Sequence, residues 1–66
     1  MAKGYTRKLK ALLREHGCEF VRHGKGDHEI WRSPHAQRPF VVDGTIISRH
    51  TANAVLKQAG IEAKLK

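Results

Sequence analysis

Two helical stripes of apolar residues enclose a stretch of strand-like alternation in this chain. Leu9, Leu12 and Leu13 stand at i, i+3 and i+4, which puts them on one helix face. That helix is predicted to start with Thr6 as its cap and to run to about His16, with Tyr5 packing back on Leu9. Gly17 stops it as a left-handed cap residue, and Cys18 is placed to touch Leu13. The second stripe is Ala52, Val55, Leu56 and Ala59, in a helix capped by Ser48 and running to about Ala59. Gly60 ends it, with Ile61 set against Leu56. Between the stripes lie three runs with strand character, Glu19–His23, Glu29–Arg32 and Pro39–Val42. The first two form a hairpin across residues 24–28, and Ser33-Pro34-His35-Ala36-Gln37 turns the chain into the third. Pro39 suits a strand start or an edge. Asp43-Gly44 ends the sheet, and Thr45-Ile46-Ile47 leads into the second helix. Residues 1–4 read as a loose basic lead-in, and residues 62–66 as a frayed charged tail.

The order is therefore α-β-β-β-α, an α+β fold with a three-stranded antiparallel meander. One sheet face is the only surface large enough to receive both stripes, so both helices are expected on it, leaving the other face and the hairpin exposed. In order and size this layout resembles the double-stranded-RNA-binding domain. With 66 residues there is room for one domain, residues 1–66, and for few enclosed pockets.

Charge narrows the range of ligands. Thirteen Lys and Arg against six Asp and Glu give a formal charge of +7. A small domain this basic is expected to bind a polyanion, nucleic acid first. No apolar run approaches the ~18 residues of a membrane span, and the N-terminus lacks the apolar core of a signal peptide. A single cysteine, Cys18, fits a reducing, cytoplasmic setting and reads as a small buried apolar residue. Arg7, Lys8, Lys10 and Arg14 cover the outside of the first helix, either as a solvated face or as contacts to nucleic acid.

The chemistry concentrates at Gly24-Lys25-Gly26-Asp27-His28. Two glycines around a lysine let the backbone turn tightly and approach a phosphate. His28 follows at the mouth of the second strand, where a neutral imidazole can take the proton of a ribose 2′-hydroxyl. The attacking oxygen then belongs to the substrate, so no metal and no cofactor is required. Lys25 and the loop amides, Gly26 among them, could stabilise charge on the phosphate. Asp27 could orient the imidazole or simply shape the turn. Arg32, Arg49 and His50 are further candidates for RNA contact, the last two in the first turn of the second helix, where free amides favour an anion. His23 could meet His28 across the hairpin, whereas His16 suits a helix end and His35 a solvated loop. A metal site is not expected, since no histidine pair has the i, i+4 spacing of a zinc helix. Trp31 and Phe40 could stack on bases, but on strands such residues more often fill a core.

These pieces together resemble the HicA toxins of bacterial type II toxin–antitoxin systems, which are small mRNA interferases. The resemblance runs from about Tyr5 to Ile61. It is carried by the leading helix ending in Gly17, Phe20-Val21-Arg22 before the glycine turn, Gly26-Asp27-His28 opening the second strand, and the closing Leu56-Lys57-Gln58-Ala59-Gly60-Ile61. It implies a double-stranded-RNA-binding-like fold, an mRNA substrate, a catalytic role for His28, and a HicB-like antitoxin that covers the active surface. Many members have serine where Asp27 stands, so no hydroxyl role carries over to that position. Two functions follow: a metal-independent endoribonuclease toxin, and a non-catalytic RNA-binding module, which has no need of an imidazole at residue 28.

Overall fold

The computed structural model describes residues 4–66; of the expected basic lead-in, residues 1–3 lie outside the described residues. Helix α1 spans Thr6–Glu15, followed by strands β1 (Glu19–His23), β2 (Glu29–Arg32) and β3 (Phe40–Val42), and helix α2 covers Arg49–Gln58. The strands form one antiparallel sheet in the order β1-β2-β3, as the short connections predict.

Register decides what faces the core. Trp31 pairs with Phe20 on one side and Phe40 on the other, and Glu29 pairs with His23 and Val42. Directly opposed residues share a face, so Trp31, Phe40 and Val42 point together toward the helices. There they meet Leu9 and Leu13 of α1 and Ala52, Val55 and Leu56 of α2 in one core, which Cys18, Ile46, Ala59 and Ile61 complete. Both helices thus occupy one face. Leu12 packs against this core without being fully buried, because the i, i+4 pair Leu9 and Leu13 takes the centre of the stripe. The other sheet face leaves Val41 45% exposed. In β1 a bulge between Phe20 and Arg22 leaves Val21 unpaired, and no residue of this strand is buried.

The ends of α2 follow the sequence closely. Ser48 Oγ accepts from the amides of His50 and Thr51, as an N-cap should. Beyond each helix, Gly17 and Gly60 adopt φ of +86° and +75°, and the next amide closes back on the helix: Cys18 N–H to Leu13 O and Ile61 N–H to Leu56 O. The start of α1 differs from expectation. Tyr5, not Thr6, is the flanking residue, and no side chain caps this end. Thr6 Oγ1 instead accepts from Ile46 N–H at 2.9 Å, and Tyr5 N–H donates to Ile46 O at 2.6 Å. The helix start is thus anchored by a distant segment, which engages the Thr6 hydroxyl that could otherwise serve as a cap. Strand β3 begins at Phe40 rather than Pro39, whose missing N–H cannot join the ladder.

The tail also departs from the frayed segment expected. Asn53 donates through Nδ2 to Leu65 O at 3.1 Å and accepts from Leu65 N–H at 2.7 Å, while Ala63 and Leu65 pack on the core. The 33–39 connection is similarly tied. Ser33, buried, donates to Ala59 O at 2.6 Å, so it satisfies one of the carbonyls left open at the end of α2. His35 is exposed in this loop, as expected, and its Nε2 lies 3.0 Å from His16 O, linking the loop to the end of α1. His16 sits at the helix end as expected, with its Nδ1 3.0 Å from Leu12 O.

Candidate active site

The β1–β2 hairpin closes with Gly24 N–H donating to His28 O at 2.8 Å and His28 N–H to Lys25 O at 3.1 Å. Gly26 has φ +64°, the left-handed conformation for which glycine carries no penalty, and this lets Lys25 and Asp27 flank so tight a turn. His28 is thereby fixed where the hairpin enters β2.

The structure adds a partner that sequence reasoning did not single out. His28 Nε2 lies 3.1 Å from Asp43 Oδ1, both side chains being about half exposed (44% and 49%). Register produces this pair. Because Glu29 is opposite Val42, the residue before the one and the residue after the other come face to face. In the sequence Asp43 stands at the end of the sheet, fifteen positions from His28, with nothing local to pair the two.

Asp27 stands on the same spot. Gly44 packs so tightly against it that a Cβ there would lie 2.8 Å from Asp27 O and 2.8 Å from its Oδ2. Hairpin and β3 exit are thus in van der Waals contact through a glycine. One ligand atom from each of Asp27, His28 and Asp43 falls within 4.8 Å of the others, so this is also where a divalent cation could be held. This cluster has no local signature, because Asp43 reaches Asp27 and His28 only through the β2–β3 register.

A second polar network lies on the core side of the sheet. Trp31, fully buried, donates its Nε1–H to Glu29 Oε1 at 2.9 Å, and Lys10 Nζ reaches Glu29 Oε2 at 3.1 Å. The Trp31 hydrogen bond is the main influence holding the Glu29 carboxyl below its ordinary pKa; burial opposes it, and Lys10 reinforces it. Arg14 lies over the Trp31 ring at 5.2 Å from its centroid, a cation–π contact that covers the indole. Trp31 and Phe40, both buried, therefore serve the core and offer no surface for base stacking.

Of the other residues expected near RNA, Lys25, Gly26 and Asp27 are exposed around His28. Arg32 is at the opposite end of β2, where its Nε and Nη2 both bind Glu19 Oε1. The amides expected to be free in the first turn of α2 are engaged by Ser48, and the His50 side chain lines a groove with Asn53, Lys57 and Lys64, away from His28. Arg49 is exposed beside it. His23 turns to Phe20, ring centroids 5.1 Å apart, opposite Glu29 in the register.

Among the described residues, no helix is long and apolar enough to cross a membrane. Comparison with curated proteins and with solved structures found no match. The family model described as the HicA toxin of bacterial toxin–antitoxin systems matches residues 6–61, from the first residue of α1 to the amide that closes α2. With that match covering nearly the whole chain, this protein belongs to the HicA toxin family.

Proposed function

We propose that this toxin is a metal-independent endoribonuclease acting on mRNA, with His28 as its general base. The observation that carries the reading is the 3.1 Å contact between His28 Nε2 and Asp43 Oδ1 at the solvent edge of the sheet. A neutral imidazole that donates Nε2–H to a carboxylate keeps its lone pair on Nδ1, so Asp43 selects the tautomer and orients the ring. Nδ1 takes the proton of the ribose 2′-hydroxyl. That oxygen forms a bond to the adjacent phosphorus as the bond to the 5′-oxygen breaks, and the leaving oxygen gains a proton from solvent. The products are a 2′,3′-cyclic phosphate and a 5′-hydroxyl. Lys25, joined to His28 through the turn, supplies positive charge for the phosphate oxygens.

General base catalysis of this kind contributes typically ~10²–10⁴-fold. His28→Ala should therefore lose cleavage while retaining fold and RNA affinity, since a half-exposed imidazole carries little packing. Full cleavage by His28→Ala would refute the assignment.

A second reading has its own observation. The Asp27, His28 and Asp43 cluster could hold a divalent cation that activates water. It predicts cleavage that stops with chelator and leaves a 3′-hydroxyl or 3′-phosphate directly. Membership of the family makes the chain the toxin of a pair with an antitoxin partner. We take that partner to be HicB-like and to cover His28 in the complex.

A further inference from the structure

Beside the His28 site an open groove of about 690 Å³ runs between α1 and the segment leading to α2. Arg7, Lys10 and Arg14 form one wall, and Gly44, Thr45, Ile46 and Ile47 the other. Resting on the endoribonuclease reading, we propose that the RNA strand adjoining the cleaved bond lies in this groove, its phosphates met by Arg7 and Arg14.

Four features support that occupant. The groove begins at Gly44, next to Asp43 and in contact with Asp27, so a strand leaving His28 enters it directly. Its cations stand at i, i+3 and i+7 on one helix face. From Arg7 to Arg14 the helix rises about 10 Å, long enough to reach more than one phosphate of a strand lying along it. Their charges are also unequally available. Lys10 is tied to Glu29 at 3.1 Å, whereas among the described residues no carboxylate lies within ion-pair distance of Arg7 or Arg14. Arg14 is held in place by the indole beneath it. The opposite wall carries Ile47, 73% exposed, an apolar surface for sugar or base.

The groove separates from a general attraction between a basic domain and RNA by one comparison. Lys8 neighbours Arg7 in sequence and carries the same charge, but it is turned by about 100° around the helix and does not line the groove. Binding of a short, unstructured, single-stranded RNA would be measured across a salt series for Arg7→Gln, Arg7→Gln/Arg14→Gln and Lys8→Gln. All three would be made in a His28→Ala background, so that the substrate survives and the result does not depend on catalysis. The slope of log affinity against log salt should become shallower by about 0.7 for each phosphate contact removed, once for Arg7→Gln, twice for the double variant, and not at all for Lys8→Gln. Equal slopes for Arg7→Gln and Lys8→Gln would overturn the proposal. So would absence of RNA binding, or groove variants that weaken only the antitoxin complex, which would assign the groove to an acidic protein segment. If the slopes behave as expected while the His28-intact protein cuts no RNA, the groove stands and the endoribonuclease reading falls.

Discussion

Gly44→Ala would test whether the hairpin and the β3 exit act as one unit. The new methyl would start 2.8 Å from Asp27 O, 2.8 Å from Asp27 Oδ2 and 2.9 Å from Asp27 Cβ. The carboxylate could rotate away, but the carbonyl and Cβ move only with the backbone of the turn. Reaching an ordinary contact near 3.4 Å requires a separation of about 0.6 Å. That displacement falls between two segments whose next residues are His28 and Asp43. Their 3.1 Å bond would then lengthen toward the limit at which a hydrogen bond is lost. Overpacking of this size costs about 1–3 kcal/mol, and a domain of this length loses roughly 4–8 °C in Tm per kcal/mol. A misplaced catalytic group costs up to about 10²-fold in rate for a 1 Å error. Cleavage of an RNA oligonucleotide, measured as kcat and KM alongside a melting curve, should show kcat reduced by about ten- to a hundredfold with KM little changed. A Tm that falls while kcat stays at the wild-type value would show that the contact is real and the His28–Asp43 geometry irrelevant. If neither moved, the packing described for Gly44 would itself be wrong.

Asp43→Ala should lower kcat by about tenfold or more and leave RNA affinity unreduced, since it removes a negative charge; unchanged kcat would deny Asp43 an orienting role. Leu13→Ala, at the centre of the core, should cost about 2–5 kcal/mol, comparable to the whole stability of so small a domain, and a wild-type thermal transition would contradict the packing. Glu29 provides a pH test. Its carboxyl is held below the ordinary value of 4.5 in the folded state, so its contribution is complete above that value and is lost as pH falls through the lower, folded value. Glu29→Gln retains an acceptor for Trp31 but has no proton to take up. It should therefore lose less stability on acidification than wild type does in thermal unfolding, and parallel acid-side profiles would remove Glu29 from the account.

The fold was legible because its signals are local. Stripe spacing located both helices, Ser48 announced the start of α2, and Gly17 and Gly60 marked stops whose hydrogen bonds the structure contains. What escaped was every feature that depends on two distant segments meeting. Thr6 looked like a cap because nothing in its neighbourhood reveals Ile46 as a partner. The tail looked free because the amide of Asn53, twelve residues earlier, does not advertise that it will hold Leu65. The site divides in the same way. His28 stood out by its place after a glycine turn. Asp43 became visible only through the β2–β3 register, and an alignment of Glu29 with Val42 would have been the signal that found it. Glu29 opens β2 as a charged residue, yet it shares the core side with Trp31. A buried indole N–H needs an acceptor there, and that need outweighs the usual preference of a carboxylate for water.

The most direct test of the central claim is the chemistry at the ends of the cut RNA. Wild-type protein and His28→Ala would each be incubated with RNA in excess chelator and the products identified by mass spectrometry. The account predicts a 2′,3′-cyclic phosphate and a 5′-hydroxyl from wild type, no product from His28→Ala, and no cleavage of RNA bearing 2′-deoxyribose at the cut site. Cutting of the deoxyribose-substituted RNA would show that water attacks the phosphorus, and cleavage that requires a divalent cation would contradict the metal-independent mechanism.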